Sequence, residues 1–318
     1  MASLSQSQLQ LMARAAKQLL PRVRFNANWK KLYQLWQIGE PDGADKYLYL
    51  THKDYALLRK MAQVDSGLDI LALDFEVPRQ QMAQQSANEK YANINPDADY
   101  VLIKLAPNIT QSLVSKSVAD NVLDVLTALD NALRLKVDNA ISLCQRLKIT
   151  QLIVVENLDS FDNLFAYSFT SELQPIIDNC MVLYRGSHDY SPAGRKHFLQ
   201  LIAALKLDVI AFTDLDPAGL MIANTLENCH SMIVPKLVLE APDKLLAISQ
   251  INSASDFDKQ HKQSAYLNNI LSQATVASVV FTPQWVSLIQ WLSRNHVSIK
   301  QQHMLAQSMP LSLLKIHS

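Results

Sequence analysis

The chain has 318 residues, 49% of them hydrophobic and 18% charged, with a formal net charge of zero. That composition supplies core for two ordinary domains. It excludes a protein whose whole surface grips nucleic acid, so any such binding must come from a local patch or a partner. Cys144, Cys180 and Cys229 are scattered and form no CxxC pair, which argues against a zinc site or disulfide framework and for reduced thiols in a cytoplasmic protein. The polar start, Met1-Ala2-Ser3, lacks the apolar stretch of a signal peptide, and no run of about 18 apolar residues is present to span a membrane.

Residues 4–20 carry Leu9, Leu11, Met12, Ala15, Ala16, Leu19 and Leu20 at helical spacing, and Pro21 ends that helix. Arg22, Arg24, Lys30 and Lys31 follow, interleaved with Phe25, Trp29, Tyr33 and Trp36. Such a mixture can hold nucleic acid by charge and stacking. The helical spacing of Phe25, Trp29, Leu32, Tyr33 and Trp36 instead favours a core face with the basic residues in solvent. Asp42-Gly43 marks a turn, 46–51 a short strand and 53–63 a helix. A strand is predicted at 69–76, a polar helix at 79–92 and an alternating strand at 99–105. These elements predict a mixed α+β domain over 1–112, for which a winged-helix-like module is one fitting topology. Residues 113–149 read as a helical connector.

From residue 150 the pattern sharpens into an α/β domain running to 240. QLIVVEN (151–157) is an apolar run ending in an acid, as in a strand buried on both faces. A helix with Phe161, Leu164, Phe165 and Phe169 follows. CMVLYRG (180–186) is the next strand, and Ser191-Pro192 starts a helix that ends near Leu205. DVIAFTD (208–214), a helix from Pro217 and an extended segment at 231–239 complete the alternation, which predicts a largely parallel sheet with flanking helices. Residues 241–318 are expected to form a helical extension, including a helix started by Thr282-Pro283 that buries Trp285, Leu288, Ile289, Trp291 and Leu292.

Glu156 follows the first of these strands, and Asp214 and Asp216 end the third. Ligands of open α/β sheets sit at the carboxyl ends of the strands. Side chains alternate along a strand, so Asp214 and Asp216 face one way and Leu215 the other. If the two strands are neighbours, three carboxylates meet, and a hard divalent cation with oxygen ligands relieves their repulsion. The same residues also read as structure. Asp216-Pro217 is an ordinary N-cap with Pro at the first helical position, and Glu156 a surface acid at a loop. Spacing leaves both readings open.

The pair Val154-Val155-Glu156-Asn157 and Asp214-Leu215-Asp216-Pro217-Ala218-Gly219-Leu220, about sixty residues apart, resembles a Toprim domain. The combination is most similar to the JetD- or MksG-type nuclease subunit of Wadjet systems, relatives of the topoisomerase VI A subunit. Tyr184-Arg185-Gly186 lies where that family has a strand and a glycine turn. The resemblance covers about 150–240. Beyond it, Trp291 and Lys300-Gln301-Gln302 are similar to a closing Trp…Glu-Gln-Glu pattern whose acids are absent here. The resemblance implies Mg²⁺ or Mn²⁺ held by Glu156, Asp214 and Asp216. It also implies cleavage of a DNA backbone, Glu156 ligating metal or assisting proton transfer, and work beside an SMC-type ATPase complex as part of plasmid defence. Paired sites in double-strand-cutting relatives imply a homodimer.

Arg185, His188, Arg195, Lys196 and His197 surround the second strand and the next helix, either as phosphate contacts or as a solvated basic face. Asn157 orients Glu156 or caps its loop, and Gly219 allows close backbone approach, more simply for packing. Two other functions compete. A topoisomerase-VI-like transesterase needs a nucleophilic tyrosine, for which Tyr33, Tyr47, Tyr49 and Tyr55 are available. A non-catalytic Toprim-fold module needs only a partner-binding surface.

Overall fold

Two units make up the chain, Met1–Pro96 and Asp97–Ser318. The computed structural model describes residues 4–86, 88–93, 99–115, 132–186, 193–248, 250–273 and 280–317.

The first unit is mixed α+β, built on a helix Gln6–Gln18, a small antiparallel sheet and a helix His52–Ser66. Its strands are β1 (Arg22–Arg24), β2 (Glu40–Pro41) and β3 (Tyr47–Tyr49), in the order β1-β3-β2. Ser5 and Gln8 form a capping box on the first helix. Trp29 and Leu32 are buried, whereas Arg22, Arg24, Lys30 and Lys31 are exposed. The aromatic residues of this segment thus serve the core. The strand predicted at 69–76 is absent. Leu68, Ile70, Leu73 and Phe75 are buried, but the Asp69 and Asp74 carboxylates accept the N–H groups of Leu71 and Glu76. Two such local turns break extended pairing. The helix predicted over 79–92 is shorter, ending at Gln85 and followed by a single 3-10 turn at Glu89–Tyr91.

The second unit is α/β. Among the described residues, its sheet has seven strands. They are β4 (Tyr100–Leu105), β5 (Ala132–Lys136), β6 (Gln151–Val155), β7 (Met181–Tyr184), β8 (Asp208–Phe212), β9 (Cys229–Pro235) and β10 (Leu311–Lys315). Their order is β10-β9-β8-β6-β7-β4-β5. The four inner strands β9, β8, β6 and β7 pair in parallel, and β4, β5 and β10 add antiparallel edges. Apolar runs such as Leu152–Val155 and Met181–Leu183 are fully buried because helices cover both faces.

Three expected boundaries shift. β4, predicted inside a 1–112 domain, belongs to the second unit's sheet. The connector predicted as helical over 113–149 contains β5, whose Leu133 and Leu135 alternate at strand period against Ile103 and Val101. The helix Val137–Leu147 follows it directly, and 116–131 lie outside the described residues. The tail expected to be helical ends in β10, which pairs with β9 along its whole length. Residues 231–239 divide into β9 and a helix Lys236–Glu240.

The chain leaves β6 toward β7 but leaves β8 toward β9, on opposite sides of the β6–β8 pair. Such a reversal opens a crevice at the carboxyl ends of the two strands. No helix among the described residues is long and apolar enough to cross a membrane.

Candidate active site at the strand switch point

Glu156 and Asp214 emerge side by side because β6 and β8 are neighbours in register, Val155 opposite Phe212. The Glu156 N–H extends that ladder by donating to the Phe212 carbonyl. The Glu156 carboxylate accepts the Asp214 N–H at 3.2 Å, and the Arg185 guanidinium at the end of β7 lies 3.7 Å from its other oxygen.

Asp214 and Asp216 do face the same way. Leu215 is fully buried and exchanges both backbone hydrogen bonds with Ile299. This brings the segment Ser298–Gln301 against the two acids. Lys300 Nζ lies 2.8 Å from Asp216 Oδ2 and 3.2 Å from Asp214 Oδ2. Asp214 Oδ1 also accepts from Asn157 Nδ2 and from the Gln301 N–H, each at 2.9 Å. Asp216 caps the helix Pro217–Thr225, its Oδ1 accepting the Gly219 N–H, while Oδ2 accepts from Gln260, Ser298 and Lys300. The N-cap reading and the clustering reading of Asp216 are both correct. Gln301, wholly buried, accepts from Asn157 Nδ2 at 2.8 Å and donates to the Phe212 carbonyl.

Burial, then the negative charge of Asp214, pushes the Glu156 carboxyl up to about 7. Burial also raises Asp214, more than the Gln301 N–H and Lys300 lower it. For Lys300 burial works toward a lower pKa, but its hydrogen bond to Asp216 and the charges of both aspartates outweigh that and hold it above its ordinary value. The asymmetry is physical. Asp214 is nearly enclosed, whereas Lys300 keeps about a third of its side chain in solvent and feels two anions.

A protonated Glu156 stabilises the fold fully below its unfolded value of 4.5, and that contribution is lost as pH rises through about 7. Glu156→Gln should therefore gain on the parent by up to about 3 kcal/mol between pH 4.5 and pH 8. Urea unfolding at the two pH values measures this, and a gap that does not change with pH would refute it.

Of the other predicted contacts, Arg195 reaches the Arg185 carbonyl at 3.1 Å, so these two arginines do come together. Among the described residues, neither Arg185 Nε nor Arg195 Nε has a hydrogen-bond partner. Lys196 and His197 are exposed, and His188 lies outside the described residues, as does the predicted cap Ser191-Pro192. Sequence reasoning missed Gln260, Ser298 and Lys300 as partners of the acids. The signal for Lys300 was its place in the stretch similar to a Glu-Gln-Glu pattern, where it puts a cation in place of an acid.

Mg²⁺ favours one or two carboxylates plus waters and leaves little tolerance in geometry. Here both oxygens of Asp216 are committed, and Lys300 holds the position between Asp216 and Asp214. Among the described residues, no three His, Cys, Asp or Glu side chains are grouped to hold a metal ion. As arranged, the residues do not fit a resident divalent cation.

The sequence profile of one family, described as Domain of unknown function (DUF7281), matches residues 99–313. The chain belongs to that family. The DUF7281 span contains Glu156, Arg185, Asp214, Asp216, Lys300 and Gln301, and reaches from the residue before β4 into β10. No curated protein matches the chain.

Proposed function

We propose that this chain is a Toprim-type protein that cuts DNA, the nuclease subunit of an SMC-like plasmid-defence complex, working as a cytoplasmic homodimer. One observation carries the reading. Glu156 and Asp214 stand side by side at the carboxyl ends of adjacent parallel strands, with Asp216 joined to Asp214 through Lys300, at the point where the sheet's connections reverse. Glu156, titrating near neutrality, is suited to pass a proton to a leaving oxygen. Arg185 stands beside it, and Arg195 beside Arg185, as donors for a phosphate. Mg²⁺ or Mn²⁺ belongs to this reading only if Lys300 gives up its position.

A second reading is favoured by Lys300 itself. An acid cluster already neutralised from within suits a Toprim-like module that binds DNA or a partner without cutting. The tyrosine transesterase would take its nucleophile from the first unit, where Tyr33, Tyr47, Tyr49 and Tyr55 lie.

Cleavage of supercoiled plasmid, with and without divalent cations and an SMC-like partner, decides between these readings. Glu156→Ala and Asp214→Ala should each slow cutting by about 100-fold or more. Equal cutting by parent and variants would sink the nuclease reading, and no cutting by any sample would favour the binding module.

A further inference from the structure

We infer that Lys300 takes the place of a divalent cation between Asp214 and Asp216 and keeps such ions out of the site. Two acids that the Toprim resemblance assigns to a metal converge instead on a single nitrogen, at 2.8 and 3.2 Å. The shorter is a charge-assisted hydrogen bond and the longer an ion pair. The backbone that carries the ammonium is held in place, since Ile299 pairs with Leu215 on one side and the Gln301 N–H donates to Asp214 on the other. The ammonium can leave the acids only by swinging on its own side chain, which gives up both contacts. Its side chain remains over a third exposed, while those of Asp214 and Asp216 are 9% and 2% exposed. The lysine is a plug on the solvent side of two buried carboxylates.

A metal ion using the same oxygens would sit within a few ångströms of the ammonium. At the effective dielectric of a protein site, repulsion over that distance amounts to about 100-fold or more in affinity. The other donors to Asp216, from Gly219, Gln260 and Ser298, are neutral and do not provide that barrier. The inference concerns which cation fills the site and does not depend on whether the chain cuts DNA.

Mn²⁺ binding to the full-length chain tests it, followed by the electron paramagnetic resonance of the free ion. The parent and Lys300→Arg should show no uptake at this site. Lys300→Met should bind Mn²⁺ about 100-fold more tightly than the parent, and adding Asp214→Asn should abolish the gain. Removing the ammonium also leaves buried acids uncompensated, so Lys300→Met should melt at a lower temperature than the parent and recover with Mn²⁺. The parent's melting temperature should ignore the ion. Mn²⁺ uptake by the parent that Asp214→Asn removes would overturn the inference, whether or not Lys300→Met folds. So would a folded Lys300→Met that takes up no ion. Metal-dependent DNA cutting by such a metal-binding parent would support the nuclease reading while refuting the plug, so the two claims fail separately.

Discussion

Gly219→Ala is expected to destabilise the second unit by about 3 kcal/mol or more, the upper end of the overpacking range. A Cβ at this position would stand 1.9 Å from the Asp214 carbonyl oxygen and 2.9 Å from its carbonyl carbon. Neither is the loose end of a side chain. The obstacle is the backbone of the residue that carries one of the site's acids. Gly219 also donates its N–H to Asp216, and its carbonyl accepts from Thr213 Oγ1. The helix Pro217–Thr225 is thus folded directly beneath the Asp214–Asp216 turn, and only a residue without Cβ permits the approach. A methyl group forces either the helix or Asp214 away, so stability and the Lys300 contact should fall together. Chemical denaturation measures the first, and a Gly219→Ala chain as stable as the parent would show the described packing to be wrong.

Gln301→Leu should cost about 2–4 kcal/mol, although it exchanges one buried side chain for another of similar size. Gln301 is the hub between strands β6 and β8. It accepts from Asn157 and donates to the Phe212 carbonyl. Leucine leaves the Asn157 N–H groups short of an acceptor in a partly buried site, where unmet donors carry the full desolvation cost. Asn157 retains Asp214 as a partner, which keeps the loss below that of orphaning the whole group. The check is thermal unfolding of Gln301→Leu against Gln301→Glu. The glutamate keeps the acceptor but adds a fourth carboxylate near Asp214, so it should be the worse of the two at pH 8 and improve on acidification. If both variants melt with the parent, Gln301 is not the hub described.

The inner sheet was legible because buried parallel strands write themselves as continuous apolar runs. Residues 152–155, 181–184 and 209–212 are such runs, and Asp214 and Asp216 share a side as alternation requires. The edge strands were not legible. β5 is five residues, ALRLK, whose two leucines fit either a strand or a turn of helix, and only pairing with β4 decides. β10, LSLLK, is equally short, and its pairing partner lies about eighty residues earlier. At 69–76 the β-like composition was overridden by two aspartates that bond their own backbone. Within the site, the acids could be placed from their positions after apolar strands. Lys300 could not, because a lysine in a polar stretch looks solvated until Ile299 is seen to pair with Leu215.

The pairing of Ile299 with Leu215 also makes the crevice depend on a segment far along the chain. Asp216 and Lys300 are separated by 84 positions. Without Ser298–Gln301 the two aspartates at the end of β8 lack the ammonium as counter-charge. Bare carboxylates resist burial, so a crevice stripped of this segment should take in water. The same segment that supplies the ammonium leads on to β10, so sealing the sheet edge and quenching the site's charge belong to one cooperative step.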